Sequence, residues 1–175
     1  RVQGRLKQAL DAWRSAGKAI ESEYGANAPE RAPSLGGEAN VLNLLGRNDE
    51  AIPLLEQSLK LIEEERGKDH VALIAPLSVL TWQRIDTRHF DQAITSTERA
   101  IAISRLRYGE KHTKTADILD LKATVLQEKG DFPAAIEAYK EALALRLELL
   151  PENHYDLSFS YDGIGQCLMG MGQLD

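Results

Sequence analysis

The chain has 175 residues, of which 43% are hydrophobic and 27% are charged, as is ordinary for a folded globular protein. Its formal net charge of -6 argues against nucleic-acid binding, which needs a basic surface to neutralise phosphates. The sequence lacks a run of about 20 apolar residues, the length of a membrane-spanning helix. A single cysteine, Cys167, excludes an intrachain disulfide and fits a reducing compartment. We therefore expect a cytoplasmic protein that does not act on nucleic acid or in a membrane.

A period of 42 residues runs through the whole sequence. Glycine, alanine and histidine recur at this step, and Arg88 takes the place of one glycine. The columns are Gly4, Gly46, Arg88, Gly130 and Gly172; Ala9, Ala51, Ala93 and Ala135; and His70, His112 and His154. Several columns in one register indicate an internal structural repeat.

Each repeat is predicted to contain two helices, because its apolar residues recur at i, i+3, i+4 and i+7. We call the helix after the glycine column helix B and the helix after the histidine column helix A. In chain order they are B 5–24, A 29–45, B 47–66, A 70–87, B 89–108, A 112–129, B 131–150 and A 153–171. The alternation typical of strands and hairpins is missing, so the predicted class is all-α.

Glycine and proline mark the helix ends. The glycines at 25, 67 and 109 follow helix B, where a positive φ is favourable. Pro53 and Pro133 are expected near helix starts, where a missing N–H costs little. Pro76 falls inside the second helix A, so we expect that helix to start late or to bend.

The repeats are predicted to form one array over residues 1–175. One helix pair cannot bury its apolar stripe alone, whereas stacked pairs share a continuous core. The repeats span approximately 4–45, 46–87, 88–129 and 130–171, and 172–175 begins a truncated further repeat. Because the first residue is not Met and the repeat phase continues to both ends, we expect a piece of a longer array.

Small residues occur on helix A at Ala39, Thr81, Ala123 and Gly165. Large ones occur on helix B at Trp13, Leu55 and Tyr139, whereas Thr97 departs from this pattern. With the glycine and histidine columns, these residues resemble the tetratricopeptide repeat in its long form, similar to that of kinesin light chains. HEAT repeats overlap in length, but the small-residue columns favour the tetratricopeptide interpretation.

The resemblance implies a right-handed superhelical solenoid of antiparallel helix pairs, with about four repeats. It also implies a protein–protein interaction scaffold or adaptor whose concave groove is lined by helix A of each repeat. The groove residues carried over are Asn40, Asn43, Ser78, Trp82, Asp117, Asp120, Thr124, Gln127, Phe159, Asp162 and Gln166. This set is acidic and polar with a few large apolar side chains, so we expect a partner with a basic or apolar segment. In the alternative interpretation the aspartates are merely solvated and Trp82 packs on a neighbouring helix.

Catalytic or metal chemistry is not indicated by the sequence. The three histidines begin successive A helices, whose axes are about 8–10 Å apart or more, too far to share one zinc ion. Cys167 lies in an apolar column with Val41 and Val125, which predicts a core residue rather than a nucleophile. We therefore predict no cofactor, no metal and no enzymatic activity in these residues. Two alternatives stay open: a regulatory segment of a larger enzyme, such as a bacterial serine/threonine kinase or caspase-like protease, and a self-association module.

Overall fold

The computed structural model describes residues 2–172. Within these residues it contains eight α-helices, two short 3-10 turns and no strand, which confirms the all-α class. The helices are α1 Val2–Tyr24, α2 Ala32–Leu44, α3 Asn48–Arg66, α4 Ile74–Asp86, α5 Phe90–Tyr108, α6 Thr113–Lys129, α7 Phe132–Leu149 and α8 Asp156–Gly170. The odd-numbered helices are the predicted B helices and the even-numbered ones the A helices. Most of the predicted further repeat, residues 173–175, lies outside the described residues.

The chain forms two compact units, Arg1–Thr87 and Arg88–Asp175. The division coincides with the predicted boundary between the second and third repeats, so each unit contains two repeats. That residues 1–175 form one continuous array remains a prediction.

In the first unit, α2 packs against α1 and α3, and α4 packs against α3. Ala39, Leu42 and Leu55 are fully buried at these contacts. In the second unit, α6 packs between α5 and α7, and α8 covers the other side of α7. Its core includes the buried side chains of Tyr139 and Cys167. In both units, each B helix therefore packs against the A helix that follows it, and α3 and α7 also pack against the A helix that precedes them.

Each histidine of the column completes a turn at or just before the start of a helix A: His112 caps α6, His70 caps the 3-10 turn before α4, and His154 lies two residues before α8. The Nδ1 atoms of His70, His112 and His154 accept hydrogen bonds from backbone N–H groups two residues later, at 3.2, 3.0 and 3.3 Å. These bonds satisfy amide groups that have no partner within the first turn of a helix. The histidines therefore have a structural role.

The prolines differ from one another in position. Pro133 lies in the first helical positions of α7, as predicted. The prediction for Pro53 is wrong, because α3 begins at Asn48 and this proline lies in the helix interior. α4 starts late, at Ile74 after a 3-10 turn, so Pro76 lies in its first turn. There the missing N–H removes no helical hydrogen bond.

A large residue of helix B faces a glycine of helix A at two places. A Cβ on Gly37 would lie 2.4 Å from Trp13, and one on Gly163 would lie 2.3 Å from the Tyr139 ring. A Cβ on Gly165 would meet nothing within 4 Å among the described residues, so the predicted close contact of this glycine with a helix B stays a prediction. The ring of Tyr139 rests on the neighbouring helical turn, at Gly163.

Candidate functional site

Two predicted groove residues of the second unit, Asp117 and Asp120 on α6, meet an arginine of α7. Arg146 donates from Nη2 to Asp117 Oδ1 at 2.9 Å and from Nη1 to Asp120 Oδ2. Nη1 also donates to Ser160 Oγ of α8 at 2.9 Å, and that hydroxyl donates to Asp120 Oδ1 at 2.9 Å. We call these four residues the Arg146 cluster. It links three successive helices through one buried guanidinium.

The carboxylates of Asp117 and Asp120 differ in how far they are buried. The Arg146 side chain is 4% exposed and that of Asp120 is 14% exposed, whereas that of Asp117 is 55% exposed. Burial raises the pKa of Asp120 and outweighs the lowering by Arg146 and Ser160. Burial lowers the pKa of Arg146, but the hydrogen bonds and charges of Asp120 and Asp117 prevail and raise it. Asp120 is therefore directed inward at Arg146, and Asp117 is the carboxylate that solvent reaches.

A second polar network joins α6 to α8. Gln127 donates from Nε2 to Gln166 Oε1 at 3.0 Å and accepts at Oε1 from the Tyr139 hydroxyl at 3.0 Å. The same hydroxyl lies 3.2 Å from Thr124 Oγ1. Three predicted groove residues are thus brought together, and Tyr139 orients them from the core.

One face of α8 is exposed beside these networks. Phe159, Asp162 and Gln166 follow at i, i+3 and i+7 and therefore share this face. Phe159 is 64% exposed, and Asp162 and Gln166 are exposed as well. The α8 face thus combines an aromatic ring, a carboxylate and an amide on one helix.

The predicted residues of the first unit lie on α2 and α4. Asn40 is exposed and Asn43 is half-buried on α2. On α4, Ser78 donates its hydroxyl hydrogen to the Ile74 carbonyl at 3.0 Å, and Trp82 is 46% exposed. This surface is nearly uncharged, in contrast to the second unit.

Arg146 and Ser160 are the site residues that sequence reasoning missed. The column of Arg146 contains Ile20, Ile62 and Ser104, and the column of Ser160 contains Ser34, Pro76 and Ile118. An arginine in a mostly apolar column predicts an acidic partner, because a buried charge must be paired. That signal was present before the structure was known.

Cys167 does not have the surroundings of a reactive thiol. Cys167 is fully buried, as predicted, and burial raises the pKa of its thiol, which disfavours the reactive thiolate. Across residues 2–172, we find no group of three or more histidine, cysteine, aspartate or glutamate side chains arranged to hold a metal ion. Among the described helices, none combines the length and apolar character needed to cross a membrane.

Comparisons with known structures show the fold. The protein BtubC (BKLC) from P. vanneervenii is 20% identical, with a TM-score of 0.84 over 98% of this chain and 68% of that chain. A putative kinesin light chain from Podosopora anserina, described as having nearly identical TPR-like repeats, is 19% identical. Its TM-score is 0.83 over 98% of this chain and 81% of that chain. The likeness to both structures concerns the fold.

Sequence comparison gives the family. A clustered mitochondria protein homologue from Aedes aegypti is 24% identical over 170 residues, which is 97% of this chain. The chain spans only 12% of the length of that relative. The tetratricopeptide repeat family model matches residues 1–64, 30–105 and 84–148. Repeats of this family generally mediate protein–protein interactions, and the chain belongs to the tetratricopeptide repeat family.

Proposed function

We propose that the chain is an adaptor module whose A helices bind a segment of a partner protein. The α8 face carries the proposal, because Phe159, Asp162 and Gln166 are exposed together next to the network of Gln127. An exposed aromatic ring beside polar groups has the composition of a protein-binding hot spot.

The charges of this surface favour a partner segment with basic and apolar residues. Asp117 and Asp162 are exposed, whereas the charge of Asp120 is directed at Arg146. The two exposed carboxylates would attract a lysine or arginine, and Phe159 would contact an apolar side chain. Gln166 offers a donor and an acceptor to a peptide backbone.

A peptide-display selection on the whole chain tests this proposal. We expect enrichment of sequences that combine basic and apolar residues. Changing Phe159→Ala or Asp162→Asn should weaken a synthesised binder by about fivefold or more, as expected for a residue that contributes more than about 1 kcal/mol. Fluorescence anisotropy of the labelled peptide measures the change.

Tyr161→Ala is the matched control. Tyr161 is an exposed aromatic residue of α8, but it lies on a different side of the helix from Phe159. Binding should survive this change. Failure to enrich any peptide, or equal losses for both aromatic variants, would rule out the α8 face as the binding surface.

A second candidate is a regulatory module within a longer protein. The match to 12% of the length of the clustered mitochondria homologue favours it, because there the equivalent residues form one part of a large chain. A kinase or protease signature in flanking sequence would support the enzyme-linked form of this candidate. A cytoplasmic location remains part of either proposal, based on the single buried Cys167.

A further inference from the structure

The first unit contains a cavity of about 430 Å³, and one predicted groove residue, Asn40, lies in its lining. Three helices and the two 3-10 turns contribute to its lining, which includes Pro33, Gly36 and Asn40 of α2, Ile62 of α3, and Ala75 and Val79 of α4. Most of these groups are apolar, and the small side chains on α2 and α4 leave the space unfilled. A volume of this order is typical of ligand sites.

The equivalent place in the second unit is occupied by the Arg146 cluster. Two repeat steps forward, Ile62 becomes Arg146, Pro33 becomes Asp117 and Gly36 becomes Asp120. The arginine side chain of α7 thus extends toward α6 and α8 where the first unit has open space. The same position therefore differs between the units: in the second unit the Arg146 side chain fills it, and in the first unit it stays open.

The polarity and charge of the cavity lining indicate which kind of side chain the cavity would bind. Because Pro33 and Gly36 replace the two carboxylates, a charge buried there would lack a partner. An apolar side chain would instead be stabilised by leaving water. Glu30 and Glu65 also line the cavity and are exposed, and only Glu65 has a basic partner in the lining, Arg66 at 2.9 Å. The border of the cavity therefore carries net negative charge.

We propose that this cavity binds a large apolar side chain of a partner peptide, with a lysine or arginine of the same peptide next to Glu30. The exposed amide of Asn40 hydrogen-bonds the peptide backbone. This inference rests on the proposed peptide-binding function and places a second contact point, in the first unit.

The test uses the whole chain and a phage-displayed library of random peptides. A selected peptide is synthesised, and its binding is measured by anisotropy and by NMR shifts of the Ala72 and Val79 methyl groups, which line the cavity. Ala75→Leu fills the space and should weaken binding by about tenfold or more. Glu30→Gln should weaken it by about twofold to fivefold and reduce its salt dependence.

Matched controls lie in the second unit. Ala102→Leu enlarges an exposed alanine of α5, and Glu152→Gln removes an exposed carboxylate after α7. Both should leave binding unchanged, and circular dichroism should show that every variant is folded. Equal losses for Ala75→Leu and Ala102→Leu would contradict the cavity proposal.

The two proposals can fail separately. If selected peptides bind, but Ala75→Leu retains full affinity and the Ala72 and Val79 methyl shifts do not move, the cavity proposal is overturned and peptide binding stands. If selection enriches no peptide, the proposed function fails and the cavity proposal fails with it.

Discussion

At the scale of single residues, Arg146 changes what the predicted acidic surface can do. Its guanidinium binds both Asp117 and Asp120 and is itself almost fully buried. Because it adds one positive charge to two negative ones, the surface is less acidic than its aspartates alone suggest. Asp120 is first of all a partner of Arg146, and a contact with a ligand remains a prediction.

The two aspartates should therefore differ in their effect on stability. Asp120→Ala removes the buried partner of a buried arginine and should lower the free energy of unfolding by about 3–5 kcal/mol. Asp117→Ala breaks a half-exposed pair and should cost about 1 kcal/mol or less. Urea unfolding followed by circular dichroism measures both, and similar losses for the two variants would disprove the assigned difference in burial.

At the scale of helices, the contact between α7 and α8 depends on a large residue facing a glycine. Tyr139 rests on Gly163 in the second unit, and Trp13 rests on Gly37 in the first. In the other two repeats, the register pairs Leu55 with Val79 and Thr97 with Leu121, and all four are less bulky than tryptophan. The small Thr97, which departs from the family pattern, thus stands opposite a large residue of helix A.

Exchanging glycine for alanine on α8 should test this contact. Gly163→Ala should lower stability by about 1–3 kcal/mol, because its Cβ would overlap the Tyr139 ring. The penalty should shrink in the Tyr139→Leu background, as a double-mutant cycle would show. Gly165→Ala is the matched control on the same helix and should raise stability by about 1 kcal/mol through helix propensity. Equal effects of the two alanines would contradict the proposed packing.

Helix positions were predictable because the 42-residue register repeats the same apolar stripe and the same end residues. The glycines at 25, 67 and 109 do have positive φ, and the helix ends agree with prediction to within a few residues. Pro53 was placed wrongly because propensity alone does not fix where a helix begins. Gly163 was missed because its role depends on the opposite residue, 24 positions earlier in the chain.

The candidate site was predicted less completely than the fold. The register indicates which residues lie on helix A, so Thr124, Gln127 and Gln166 could be chosen, and they do meet. It does not indicate which side chains pair with each other, so the Arg146 cluster was missed. The open cavity was missed as well, since it results from several small residues on separate helices.

At the scale of the whole molecule, the negative net charge favours binding to proteins over binding to nucleic acids. With a formal charge of -6 and an isoelectric point near 5.3, the chain should repel phosphate backbones. We expect no mobility shift of duplex DNA or RNA at about 0.15 M salt. A shift that weakens as salt is added would show a basic surface that the net charge conceals.

The pairing of a large residue with a glycine also limits how such chains can be recombined. Tyr139 and Gly163 belong to different helices, so a crossover between them could join a bulky ring to a helix that has no space for it. A chimera that joins the helix of Trp13 to the helix of Leu121 would place the indole ring against the leucine side chain. Exchanging the whole segments 13–37 and 139–163 would instead keep each aromatic ring with its own glycine. The segment that can be inherited or engineered as a block therefore runs from the large residue of helix B to its partner on helix A, across the loop between them.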